Sequence, residues 1–148
     1  MAVRRFALIW GIEFLLFGVL GFVPGATRMH HQDEPNLIVE GPGHGDLLGL
    51  FHVNVLHNVI HLLFGVLGVA AWRSVDRARG YARLVAVSYF LLALLGLIPA
   101  LNINNTFGLV PIHGHDVWLH VLLAAPAAYF GFAHRRGDTA VAREDATM

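Results

Sequence analysis

Residues 53–73 read VNVLHNVIHLLFGVLGVAAWR, and two patterns are superposed in them. The apolar run around this stretch is as long as the ~17–25 residues a helix needs to cross a bilayer. Within it Asn54, His57, Asn58 and His61 fall at i, i+3, i+4 and i+7, which is one face of a helix. Such a stripe is costly against lipid, and polar groups inside a span turn to the bundle interior or to water. The stretch predicts a membrane-spanning helix over about 47–72 that packs its histidine face against other helices.

Three further apolar runs supply those partners, at about 6–23, 81–101 and 117–133. Trp72, Tyr81, Trp118 and Tyr129 stand near the ends of runs, where interfacial aromatics belong. Composition agrees with this count. The chain of 148 residues is 56% hydrophobic and 14% charged, against about 25% charged in soluble domains. Its mean hydropathy is +0.60. A disordered chain and a charged nucleic-acid binder are excluded on these grounds, so no nucleic-acid partner is expected. With no cysteine, disulfides, thiolate zinc sites and iron–sulfur clusters are excluded too.

Arginine fixes the orientation. Arg4 and Arg5 precede the first run, Arg73, Arg77, Arg79 and Arg83 lie between or just inside the second and third, and Arg135, Arg136 and Arg143 follow the fourth. Only Arg28 falls on the other side. Positive charge marks the cytoplasmic face, so both termini are expected in the cytoplasm of a cell whose inner membrane holds the chain. Arg4 and Arg5 before an apolar run also resemble a signal peptide, but Glu13 inside it and the lack of a small-x-small site after Pro24 favour a retained helix.

The runs repeat. Residues 4–26, RRFALIWGIEFLLFGVLGFVPGA, align with 79–101, RGYARLVAVSYFLLALLGLIPAL, at an offset of 75, with Gly21 on Gly96 and Pro24 on Pro99. Residues 53–73 align with 116–136, DVWLHVLLAAPAAYFGFAHRR, at an offset of 63, with His57 on His120, Gly68 on Gly131 and Arg73 on Arg136. Two tandem hairpins of one orientation imply a pseudo-twofold axis along the membrane normal. The reading is an all-α, four-transmembrane-helix bundle over 1–136, followed by a flexible cytoplasmic tail over 137–148.

The stretches 54–74, 81–99 and 107–120 resemble a small bacterial, largely actinobacterial, four-span family of unknown function. The resemblance implies a four-helix membrane fold, and it brings the family's recurrent polar positions onto His57, His61, Asp116 and His120. It implies no activity.

The candidate polar core is Glu13, Asn54, Asn58, His61 and Asp116, with His57 and His120. Counted at 1.5 Å per residue, Glu13 lies about one turn from His61 in depth, which predicts a direct or single-water contact. Three readings stay open. The side chains form a structural hydrogen-bond network, and the protein is a structural or accessory member of a membrane assembly or homo-oligomer. Alternatively it is a redox protein that holds haem, with His57 and His120 on its iron, or a quinone, or that holds a divalent metal on His57, His61 and His120. The third reading is a proton or ion path through Glu13 and the histidines. The histidines and acids of the two outer loops, His44, Asp46, His113 and His115 among them, read as solvated loop residues, with collection of a cation such as copper or zinc as the alternative. No catalytic residue is assigned and no enzyme is expected, because no nucleophile elbow, phosphate loop or carboxylate pair is visible. Asp116, just before the fourth run, is placed to cap it. The FGVLG segments at 17–21 and 64–68 suit close helix packing, and Pro126 predicts a bend.

Overall fold

The computed structural model describes residues 1–28, 38–39, 41–97, 106–112 and 114–134. His30, His31, Asp33, Glu34, Glu40, Asn102, Asn104, Asn105, His113, Arg135, Arg136, Arg143 and the tail lie outside the described residues. Within them are four helices, α1 (Ala2–Leu20), α2 (Val55–Ala71), α3 (Val75–Leu97) and α4 (His115–Ala128), the last running on as a π-helical turn over Tyr129–Ala133. Three short strands, β1 (Thr27–Arg28), β2 (Gly45–Leu47) and β3 (Phe51–Val53), make an antiparallel sheet in the order β1-β2-β3.

This sheet corrects the all-α expectation. Gly45 to Leu47 and Phe51 to Val53 alternate sides with period two, and the turn between them carries Leu48 and Gly49 at φ of 55° and 71°. The start of the anticipated second span is thus a hairpin, and α2 begins only after Asn54. Asn54 is the reason it begins there. Its Oδ1 accepts from the His57 backbone N–H at 2.8 Å, while its Nδ2 donates to the carbonyls of Val39 at 2.8 Å and Leu109 at 2.7 Å. One buried amide therefore caps α2 and ties it to both the α1–α2 and the α3–α4 connections.

α1 packs mainly on α2, and α3 mainly on α4. The first pair is antiparallel and close. Gly11 lies on the α2 backbone at Gly68 and Val69, Gly65 on Leu15, and Gly18 on Leu62. At the opposite end from the sheet an arginine of each pair reaches a late carbonyl of its partner helix. Arg4 Nε donates to Trp72 O at 2.6 Å and Arg83 Nε to Gly131 O at 2.9 Å, where the negative helix end favours a cation. The core between the pairs is aromatic, with Phe14 stacked on Tyr89 at 5.3 Å and Phe6 on Phe130 at 5.0 Å.

Two of these helical runs, Val75–Leu97 and His115–Ala133, are long and apolar enough to cross a membrane. α1 carries Arg4, Arg5 and Glu13, and α2 has 17 residues because the hairpin takes the rest of its apolar run. Pro126 lies within α4 without ending it, and the wider π-helical turn follows directly.

Candidate functional site

The polar stripe of α2 is buried along its length: Asn54, His57, Asn58 and His61 all lie inside. His120, on the face of α4 that meets them, and Asp116, in the first turn of α4, are buried too. The helical period that placed the four α2 residues on one face therefore turns that face inward.

His61 is the centre of this group. Its Nε2 faces His57 Nε2 at 2.9 Å and Tyr89 Oη at 3.3 Å. Either His61 Nε2 accepts from both neighbours or it shares one proton between them. In both arrangements His57 engages through Nε2, and its Nδ1 is left buried without a partner. The Phe14 ring edge packs against His61 with centroids at 5.2 Å, and Tyr89 packs against His120 at 5.2 Å. His52, His61 and His120 are all near enough to His57 for their charges to act on it.

Two cavities flank the imidazole pair. One, of about 20 Å³, is lined by Asp116, Asn58, His57 and His61 under the hairpin residues Leu47, Phe51 and Val53, and holds about one water. The other, of about 170 Å³ and open on one side, is lined by His57, His61, Tyr89, Thr106 and His120 with Leu56, Ile60, Leu92, Leu109 and Val110. Three of its lining residues carry a buried polar atom with no hydrogen-bond partner: His57 Nδ1, His120 Nδ1 and Thr106 Oγ1. An unpaired buried polar group costs about 1–3 kcal/mol, so three beside one cavity is the feature of the core that most needs a chemical reason.

Glu13 is not hydrogen-bonded to the group. It is partly buried beside the exposed α1 face made by Ile9, Ile12 and Leu16, near enough to Tyr81 for its charge to act on it, and no direct hydrogen bond joins it to His61. The expected Glu13–His61 contact fails because the buried α1 stripe runs Phe6, Ala7, Gly11, Phe14 and Gly18, and residue 13 sits ~100° of helical turn from Phe14. Asp116 is also not the cap of α4, whose N-cap is Gly114; it is the second residue of the helix, within the first turn at the positive helix end.

The geometry bears differently on the redox and path readings. Haem iron between His57 and His120 would need His57 Nε2 released from His61 and a gap wider than a cavity of about 170 Å³. Among the described residues no three His, Asp or Glu side chains converge on one metal position. Among the described residues the direct hydrogen-bond chain His57–His61–Tyr89 ends at Tyr89; Tyr81, whose buried hydroxyl has no partner, lies near enough for its charge to act on Tyr89, and Glu13 near enough to act on Tyr81. What the arrangement does offer is hydrogen bonding, by neutral ring nitrogens and a hydroxyl, inside an apolar wall.

A second histidine group is visible in the sequence only in part: His44 and Asp46 stand among the outer-loop residues, while His52 falls within the expected second span. His52 is buried, its Nδ1 meets Asp46 Oδ1 at 2.9 Å, and its Nε2 faces His44 Nε2 at 3.2 Å. Read as the start of a span, residues 47–53 gave His52 no partner. Read as a hairpin, the alternation in Gly45-Asp46-Leu47 and Phe51-His52-Val53 puts Asp46 opposite His52.

A family model described as Domain of unknown function (DUF4383) matches residues 4–133 of the 148-residue chain. No curated protein and no solved structure matches it.

Proposed function

The chain belongs to the DUF4383 family, and from that premise we propose that it is a four-span protein of the bacterial inner membrane that binds a small lipid-soluble molecule in its histidine core. All four helices cross the bilayer, both termini are cytoplasmic, and the sheet lies on the outer side. The outward faces support four spans. Ile9 and Leu16 on α1, Leu63 and Val66 on α2, Val87 and Phe90 on α3, and Leu122 and Phe132 on α4 are each more than half exposed. A water-facing surface would carry charge at such positions.

The two hairpins arose by duplication. Each of the six buried positions of α1, Val3, Phe6, Ala7, Gly11, Phe14 and Gly18, falls 75 residues on at a buried position of α3, namely Ala78, Tyr81, Ala82, Ala86, Tyr89 and Ala93. The register of that match came from the sequence alignment and not from the burial. Phe14 and Tyr89, equivalent in the alignment, also stack on each other, as two positions beside a twofold axis do.

The role is accessory, binding rather than catalysis, alone or within a larger membrane complex or homo-oligomer. The observation that carries it is the cavity of about 170 Å³ beside His57 Nδ1, His120 Nδ1 and Thr106 Oγ1. Its walls suit a flat apolar ring, and its polar groups suit one or two carbonyl or hydroxyl oxygens. The test uses 1,4-naphthoquinone on protein purified in detergent; the chain has no cysteine or lysine to react with it. A saturable rise in melting temperature is expected. Thr106→Val and His120→Leu should each weaken it about 3–10-fold, the worth of one hydrogen bond. Stabilisation that never saturates, or that survives both substitutions unchanged, overturns the reading.

A further inference from the structure

The second histidine group carries an inference independent of the cavity. Asp46 and His52 face each other across β2 and β3. The carboxylate at 2.9 Å holds the proton of His52 on Nδ1, and this leaves Nε2 bare. That nitrogen points at His44 Nε2, 3.2 Å away. A carboxylate behind one ring nitrogen and a second imidazole before the other is how metal-binding histidines are oriented. The separation fits as well. Two imidazole nitrogens at ~2.0–2.1 Å from one tetrahedral ion are about 3.3 Å apart. His44 is only partly buried, so the pair is reachable from outside, while His52 and the hairpin backbone are fixed by packing.

We propose that His44 and His52 together hold one copper(II) or zinc ion at the outer rim of the protein, with Asp46 as the carboxylate that orients His52. Nitrogen donors select these borderline cations over magnesium and calcium, which take oxygen. Among the described residues no third histidine or acid converges on the pair. The ion takes the place of the proton that His44 Nε2 donates to His52 Nε2; His44 then carries that proton on Nδ1, and both rings bind as neutral imidazoles.

The test is copper(II) added at one equivalent to the full chain, purified without a histidine tag, and read by pulsed electron paramagnetic resonance, which counts coordinated imidazoles. At least two are expected. His44→Ala should remove one and weaken binding at least tenfold. Asp46→Asn should keep the nitrogen count and weaken binding about 10–100-fold, the usual effect of losing such a carboxylate. His57→Ala and His120→Ala should leave the spectrum unchanged. His44 is partly exposed, so its substitution carries the test even where His52→Ala does not fold. An unchanged spectrum or affinity in His44→Ala overturns the proposal, as does a signal lost with His57. Failure here leaves naphthoquinone binding intact, so the two readings fall separately.

Discussion

Replacing Gly11 with alanine tests the contact on which the first hairpin rests. A Cβ at residue 11 would lie 2.6 Å from the Val69 nitrogen, 2.9 Å from the Gly68 carbonyl carbon and 3.0 Å from the Gly65 oxygen. All three are backbone atoms of α2, so no side-chain rotation relieves the clash. Ordinary contact begins at 3.4 Å, and the helices must part by 3.4 − 2.6 = 0.8 Å at this point. A gap of that size forfeits a quarter to a half of each dispersion contact it opens, and overpacking costs ~1–3 kcal/mol. Alanine returns ~1 kcal/mol of helix propensity. The net expectation is destabilisation by about 1–2 kcal/mol. Gly80, in α3, is the control, since a Cβ there meets nothing within 4 Å. Gly80→Ala should stabilise by ~0.4–1 kcal/mol. Both variants are measured by reversible unfolding in mixed micelles, followed by circular dichroism. If Gly11→Ala equals or exceeds the parent while Gly80→Ala behaves as expected, α1 and α2 do not approach at Gly11 and the hairpin packing is wrong.

Asn54→Ala should cost ~2–3 kcal/mol in the same unfolding assay, because it uncaps α2 and strands the carbonyls of Val39 and Leu109. Asn54→Asp should be worse, since it keeps the cap but sets a carboxylate against two carbonyl oxygens. Tyr89→Phe removes one hydroxyl from His61 and should cost ~1 kcal/mol with helical content unchanged; a larger loss would mean that the ring, not the hydroxyl, had been disturbed. A reporter active only outside the cytoplasm should be silent at the C-terminus and active when inserted near Pro42. Activity at the C-terminus would break the four-span count.

The parts of the fold legible in the sequence were those written in helical period. The stripe from Asn54 to His61 showed its inner face because four polar side chains at i, i+3, i+4 and i+7 admit only one burial on an apolar helix. The hairpin was hidden because Leu47, Leu48, Leu50, Phe51 and Val53 read equally well as the beginning of a span. Only Gly45 and Gly49 marked a turn, and both adopt positive φ. Glu13 was misplaced for a different reason. Depth along α1 was counted, but its rotation was not, and the neighbours Ile9, Ile12 and Leu16 already marked the outward face. Tyr89 was passed over because its ring fits an apolar span. That its hydroxyl reaches His61 depends on how α3 leans on α2, which no local pattern encodes.

On the proposed duplication, the buried positions of α1 have buried equivalents in α3, and the site sits where equivalents differ. His57 corresponds to His120, and both keep an unpartnered Nδ1. His61 corresponds to Ala124, Asn58 to Val121 and Phe14 to Tyr89. The first hairpin thus supplies the paired imidazoles and the second supplies a hydroxyl. Packing between helices differs in the same direction. In the first hairpin Leu62 fills the space over Gly18. Their equivalents are Ala125 and Ala93, and there an apolar groove of about 320 Å³ lies open between α3 and α4. Two identical hairpins would have repeated either the polar pair or the close seam on both sides. One half has close Gly–Leu contacts and the other has alanines at the equivalent positions, so the bundle combines a closely packed pair, α1 with α2, and a pair with an open groove. The paired imidazoles His57 and His61 stand on the closely packed pair, Tyr89 and His120 on the other, and the cavity opens where the two pairs and the Thr106–Val110 connection meet. A binding site needs both properties, fixed donors and room to admit a guest, and duplication followed by divergence is a direct way for a short chain to obtain them.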